Sequence, residues 1–257
     1  LTRAGGIDCA GTLVCMAEHR YLLLAEPAAA RHHLVWLRTR APLDGSVAVD
    51  DLGGAMTALR LLGPAAWQLL SRLPMSPPGL LAPAPGRVQR LSLGYAPALL
   101  LGRRDGAIDL HLPSDSALPL YRLLADAAGR RGLRHVGATA LESLRVAAGL
   151  PAWGAEVGTG TRPAELGIEG LGGAAPARRL CVLRGGGNVD VAQGSMVTQG
   201  GNVAGVVTST ARAIGPARTL ALAFLPTGLA ASGQRLVLDG DHGRVPASVV
   251  GVCPAPH

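Results

Sequence analysis

A chain of 257 residues, 48% apolar and 16% charged, is long enough for one large domain or two smaller ones and excludes intrinsic disorder. Its 24 cationic side chains are all arginine, which excludes a Schiff-base lysine and a phosphate-loop lysine. The formal charge of +7 points to an anionic partner (nucleic acid, an acidic protein surface or a polyanionic cofactor), with a plain arginine bias beside the many Ala, Gly and Pro residues as the alternative.

Aromatic residues are few, three Trp, three Tyr and one Phe, so the core must be built from Leu, Val and Ala. The arginines are not interleaved with aromatics, which weighs against a single-strand nucleic-acid surface and leaves other nucleic-acid contacts open. No apolar run is long enough for a transmembrane helix, and no secretory signal is visible. Leu1 rather than Met opens the chain, as expected if an N-terminal segment such as an organellar targeting peptide has been removed. The four cysteines, Cys9, Cys15, Cys181 and Cys253, have neither C-x-x-C nor zinc-ligand spacing and read as buried free thiols in a reducing compartment. His32 and His33 are helix neighbours pointing about 100° apart, so they do not share a metal and no metal site is expected.

In chain order, 12–16 and 20–26 read as strands, and 26–40 as a helix with Pro27 in its first turn and Leu34, Val35 and Leu37 on or beside its buried stripe. Residues 46–51 and 57–63 read as strands and 63–73 as a helix begun by Pro64. After a Pro-rich loop, three strands span 87–113. The longest helix signal, 114–132, places Leu120, Leu123, Leu124 and Ala127 on one face. A fourth helix follows from about 138, where Thr139 and Glu142 predict a capping box and Gly149 a stop with Pro151 beyond it. Residues 1–157 thus hold an α+β pattern of two similar units, each a small sheet with a covering helix. Residues 158–177 read as a linker. From 178 to 257, short strands between Gly-rich turns predict a C-terminal antiparallel β-barrel or sandwich.

Several stretches in this order resemble the glycine-cleavage T-protein (aminomethyltransferase) superfamily. It includes the folate domains of dimethylglycine and sarcosine dehydrogenases and the YgfZ-type folate-binding proteins linked to iron–sulfur cluster maturation. "SLRVAAGLPAWGAE" (143–156) is similar to the family's helix-and-turn signature, and "RPAELGI" (162–168) to the element after it. "GVVTSTARAIGPARTLALAFL" (205–225) is similar to its barrel motif. "GGI" (5–7), "GPAA" (63–66) and "DGAIDLHLP" (105–113) agree as well. The resemblance covers essentially the whole chain, except for the family's first quarter ahead of the "GGI" strand. It implies two α/β subdomains of the aminomethyltransferase folate-binding fold plus a C-terminal antiparallel β-barrel, with tetrahydrofolate in a central hole.

The resemblance also implies site residues. Transfer to tetrahydrofolate needs a carboxylate near the folate nitrogens to guide proton movement. Ala10 stands at the family's Asp position in "GGIDCAGTLV", which leaves Asp8 as the catalytic candidate; a turn residue at a strand end is its plain alternative. Asp105 falls where the family holds the pterin amino group with a Glu, since a carboxylate accepts two parallel hydrogen bonds. Asp109 falls at the next acidic position, on a strand where it can simply face solvent. Arg145 keeps the family's Arg, to pair with a folate carboxylate, with Glu156 or with Glu165, or to stand exposed on its helix. Trp153 takes the place of the aromatic beside the folate, or packs a corner. Ala147 replaces a further family Glu, and 166–177 has no Cys, Tyr or Gln where the iron–sulfur branch has its signature loop.

Three functions follow from this. The first is a degenerate member, an accessory or structural subunit of a larger assembly. The others are an active tetrahydrofolate-dependent aminomethyl- or methyltransferase and an iron–sulfur maturation factor. The expected partners are other protein subunits, in a mitochondrial matrix or a bacterial cytoplasm.

Overall fold

A computed structural model of the chain describes all residues except 75, 78–81, 104–105, 130–131, 169, 172–173, 187–189, 213–217, 241–242 and 254–257. Two compact units emerge from it: Leu1–Thr39 with Val136–His257, and Arg40–His135.

The unit Arg40–His135 is a four-stranded antiparallel sheet with two helices. Its strands β3 (Met56–Leu61), β4 (Val88–Leu93), β5 (Ala96–Gly102) and β6 (Ile108–Pro113) are ordered β3-β6-β5-β4. Alternation sends Leu61, Leu93, Leu100, Leu110 and Leu112 to one face. There they meet Leu70 after the start of α2 (Ala66–Ser71) and Leu120 and Leu124 of α3 (Ser114–Ala128), the last two on the stripe that the spacing predicts. The strand expected over 46–51 does not form. Asp44 and Asp51 accept the backbone N–H groups of Ser46 and Gly53, so Asx turns close both ends of the run.

In the other unit, β1 (Thr12–Ala17) and β2 (Arg20–Leu24) form an antiparallel hairpin ahead of α1 (Pro27–Arg40). Pro27 does sit in the helix's first turn, but the buried residues of α1 are Ala29 and His33, while Leu34 and Leu37 are half-buried and Val35 is exposed. The expected barrel is present as six antiparallel strands closed in the order β10-β7-β12-β11-β8-β9. Here β7 is Arg178–Gly186, β8 Met196–Gln199, β9 Asn202–Arg212, β10 Arg218–Pro226, β11 Arg235–Gly240 and β12 Gly243–Val252. Its inside is filled by Leu183, Val197, Val207, Ala221, Leu225, Leu236 and Leu238.

The helix α4 (Ala138–Ala147) lies on the outside of that barrel. Val146 packs with Ile7, Leu166, Leu180, Val182, Leu220 and Leu222, so outward residues of β7 and β10 are themselves buried. The helix ends as the sequence predicts: Gly149 takes φ 65°, its N–H bonds Val146 O, and Leu150 N–H bonds Arg145 O, a Schellman motif. It starts differently. Its N-cap is Gly137 with no side-chain cap, because Glu142 turns to Arg145 instead of back to the helix start.

Among the described residues no helix is long and apolar enough to cross a membrane. No group of three or more His, Cys, Asp or Glu is placed to hold a metal ion among them. Cys181 and Cys253 are buried, and burial pushes their thiols up to about 11 and about 12. Against the expectation of four buried thiols, Cys9 is only half-buried and Cys15 is exposed, the latter because it faces outward on the β1–β2 hairpin.

Candidate functional site

Two of the predicted residues, Asp8 and Trp153, meet at α1. Ile7 N–H bonds Thr161 O at 2.9 Å, which fixes the extended segment leading into Asp8. From α1, Trp36 Nε1 donates to one Asp8 carboxylate oxygen at 2.5 Å, and His32 Nε2 lies 3.2 Å from the other. The same His32 nitrogen is 2.7 Å from the Asp8 carbonyl, which can only accept, so Nε2 carries the proton. His32 and Trp36 are one helical turn apart, and that spacing lets both reach a single carboxylate. Asp8 is therefore an oriented carboxylate.

His33, one position on, points inward. It is 2% exposed and its ring stands edge-on to Trp153 at 4.9 Å. His32 lies against the same indole at 5.7 Å. The Trp153 backbone N–H is held by Glu26 at 2.9 Å, and the indole also packs on the cluster around Val146. Trp153 thus packs between α1 and the turn after α4.

Ala10 N–H approaches His33 Nε2 at 3.4 Å, and His33 Nδ1 is buried with no hydrogen-bond partner. Burial, and then the neighbouring His32, lower the His33 pKa, while Asp8 and Glu26 oppose the shift. The unfolded chain therefore takes up a proton near pH 6.5, before the folded chain does, so stability is full above that pH and falls as pH drops through it. Urea midpoints are expected to decline between about pH 7 and 5, and His33→Gln should flatten that decline. An equal slope in the variant would reject His33 as its source.

Arg145 is the third predicted residue. Its side chain is 16% exposed, not an exposed helical arginine, and all five of its N–H donors are occupied. Nε and one Nη2 donor go to Glu142, and the other Nη2 donor goes to Ser209 Oγ at 2.6 Å. The two Nη1 donors go to Leu150 O at 2.6 Å and Glu156 at 3.1 Å. Glu156, with its side chain fully buried, also accepts Ala152 N–H at 3.0 Å and Ser209 O–H at 2.6 Å. Glu165 is not a partner of Arg145: it binds Arg178 at 2.9 Å and the Arg162 backbone. The Arg145 hydrogen bond holds the Glu142 carboxyl below the usual range, so this contact stabilises above that range and fades as pH falls through the lowered value.

In the unit Arg40–His135, Asp109 does not face solvent. It is 6% exposed and accepts two bonds from Arg60, its neighbour across β3 and β6, at 2.5 and 2.9 Å. Asp105 lies outside the described residues.

The sequence reading considered His32 only as a metal ligand, missed Trp36 and Glu26, and named Glu156 only as a partner of Arg145. The one local signal for the first two is the i, i+4 spacing of His32 and Trp36. Ser209, inside the recognised barrel motif, carries no sign that it serves α4.

The GCVT N-terminal domain matches residues 1–171, and the glycine cleavage T-protein C-terminal barrel domain matches residues 178–254. The chain is 27% identical over 179 residues to the mitochondrial pyruvate dehydrogenase phosphatase regulatory subunit of Mus musculus, covering 66% of this chain and 20% of that one. It is 30% identical over 135 residues to the aminomethyltransferase of Chlorobium luteolum, covering 51% and 36%. The aminomethyltransferase of Geobacillus thermodenitrificans is 26% identical over 259 residues, covering 91% and 69%. The chain therefore spans well under two thirds of the first two relatives' own length. The glycine cleavage system aminomethyltransferase T from Bartonella henselae shares the fold, with a TM-score of 0.73 over 95% of this chain and 71% of that one at 20% identity.

Proposed function

The chain belongs to the glycine cleavage T-protein family through both its N-terminal and its barrel domain, and from there we propose that it is an accessory or regulatory subunit in which folate catalysis is reduced. One observation carries this reading. The arginine that the resemblance offers to a folate carboxylate has no donor left, because Glu142, Glu156, Ser209 and Leu150 O take all five. The carboxylates expected at positions 10 and 147 are alanines. Arg145, as it stands, does not fit a tetrahydrofolate tail. The mouse relative's name as a regulatory subunit agrees with protein partners and with an organelle matrix, the bacterial cytoplasm being the other compartment that suits unpaired cysteines. This reading keeps 1–157 as the folate-type part, 158–177 as the joining segment and 178–257 as the barrel.

Calorimetry with tetrahydrofolate tests it. The expected result is no binding tighter than about 100 μM, and a clear isotherm below that value would overturn the proposal. The second reading, an active aminomethyl- or methyltransferase, is favoured by the orientation of Asp8 between Trp36 and His32. It expects methylene-tetrahydrofolate formation that Asp8→Ala abolishes, and an unchanged rate rejects Asp8 as the base.

A further inference from the structure

The outer face of β7 is covered at one end and open at the other. Leu180 and Val182 lie under α4 and the segment around Ile7, whereas Arg184 and Gly186 are exposed. Where the cover stops there is a depression of about 370 Å³, lined by residues of β7, β11 and β12. Register puts three of its residues in one row: Arg184 faces Ser248, and Ser248 faces Arg235. Neighbouring strands lie about 4.8 Å apart, so the two arginine backbones stand about 10 Å apart with the serine hydroxyl between them.

Among the described residues neither Arg184 nor Arg235 has a carboxylate partner, whereas Arg244, farther along β12, is paired with Asp239 at 3.3 Å. Pro246, outward on β12, makes part of the lining apolar, whereas Leu236 and Ala247 belong to the barrel core, and Val250, two residues beyond Ser248 on β12, is 42% exposed. Two uncompensated guanidiniums at one depression repel each other, and a carboxylate between them removes that repulsion with bidentate geometry. No aromatic residue lines the depression to stack a base, and two arginines are far short of the cationic track that a nucleic-acid backbone follows.

We propose that this open end of the β7–β12–β11 face is a docking site for an acidic protein segment. One carboxylate would lie between Arg184 and Arg235 near Ser248, with adjoining apolar side chains on Pro246 and Val250. The kind of partner rests on the accessory-subunit reading; the chemistry of the site does not.

The probe is a fluorescein-labelled peptide of four Glu-Leu repeats, titrated against the full chain and read by anisotropy. Three further arms use a Lys-Leu peptide, a ten-nucleotide oligouridylate, and tetrahydrofolate calorimetry on the same samples. Binding of the Glu-Leu peptide is expected to weaken at least about tenfold in R184E/R235E and to change less than about threefold in R90E/R122E, which carries the same change in net charge at other exposed arginines. It should also weaken with added salt. Three results would overturn the site: no binding to the unsubstituted chain, equal losses in both double variants, or tighter binding of the oligouridylate with the same arginine dependence. The tetrahydrofolate result should be the same in both variants and the unsubstituted chain, so a failed docking site and a failed functional reading give different patterns.

Discussion

Glu156→Ala should destabilise the unit built around the barrel by about 3–5 kcal/mol, the scale of breaking a buried ion pair from one side. Glu156 is fully buried and holds three groups: Arg145, Ser209 Oγ and the Ala152 N–H. Without it, one Nη1 donor of a largely buried guanidinium, the serine hydroxyl and a backbone N–H all lose their acceptor, and Glu142, 46% exposed, supplies a weaker counter-charge. The network ties α4 to β9, so its loss should loosen the helix from the barrel. Urea denaturation checks the magnitude. A cycle with Arg145→Met separates the pair from its surroundings: the double variant should be more stable than the sum of the two single effects predicts, since no lone charge stays buried. Additive losses would mean that the two residues act independently.

That network marks how far the sequence could be read. The barrel was legible because its strands are short, alternate and are separated by glycines, a pattern that depends only on near neighbours. The buried face of α3 followed from apolar spacing for the same reason, whereas that of α1 did not, and Gly149 could be assigned as a helix stop because it alone can take the left-handed turn there at little strain. Side-chain commitments were not legible. Arg145 reaches Ser209 64 residues later, and Asp8 reaches Trp36 28 residues later, with nothing local to announce either contact. The capping box at Thr139 and Glu142 is a sound local pattern that gives way to a charge-assisted bond from Arg145, the stronger partner for Glu142. Alternation placed Asp109 on one face of its strand, but it could not say that Arg60 on β3 would pair with it and that the face would be covered. The core elements are thus local facts, whereas the candidate site is made of pairings that only the folded chain creates.

Gly6→Ala should destabilise the same unit by about 3 kcal/mol, at the upper end of what overpacking a buried position costs. A methyl group there would stand 1.8 Å from the carbonyl oxygen of Thr159. That carbonyl has little room to retreat. Thr161 N–H bonds Gly158 O across the turn, Thr161 Oγ1 bonds Glu156 O at 2.7 Å, and Ile7 N–H bonds Thr161 O. The glycine next to it gives the control. Gly5 has φ +84° with nothing within 4 Å of an added Cβ, so Gly5→Ala should lose only about 1–2 kcal/mol of backbone strain. The two glycines of "GGI" therefore serve different purposes, one a left-handed turn and the other close passage of the chain over the 158–161 turn. Denaturant midpoints of the two variants measure the difference, and equal losses would sink the close-approach argument. Asp8 lies two residues beyond Gly6, so the displacement should also reach its bonds with Trp36 and His32. Hydrogen exchange at Ile7 and Ala10 is expected to speed up in Gly6→Ala well before Gly5→Ala shows any change there.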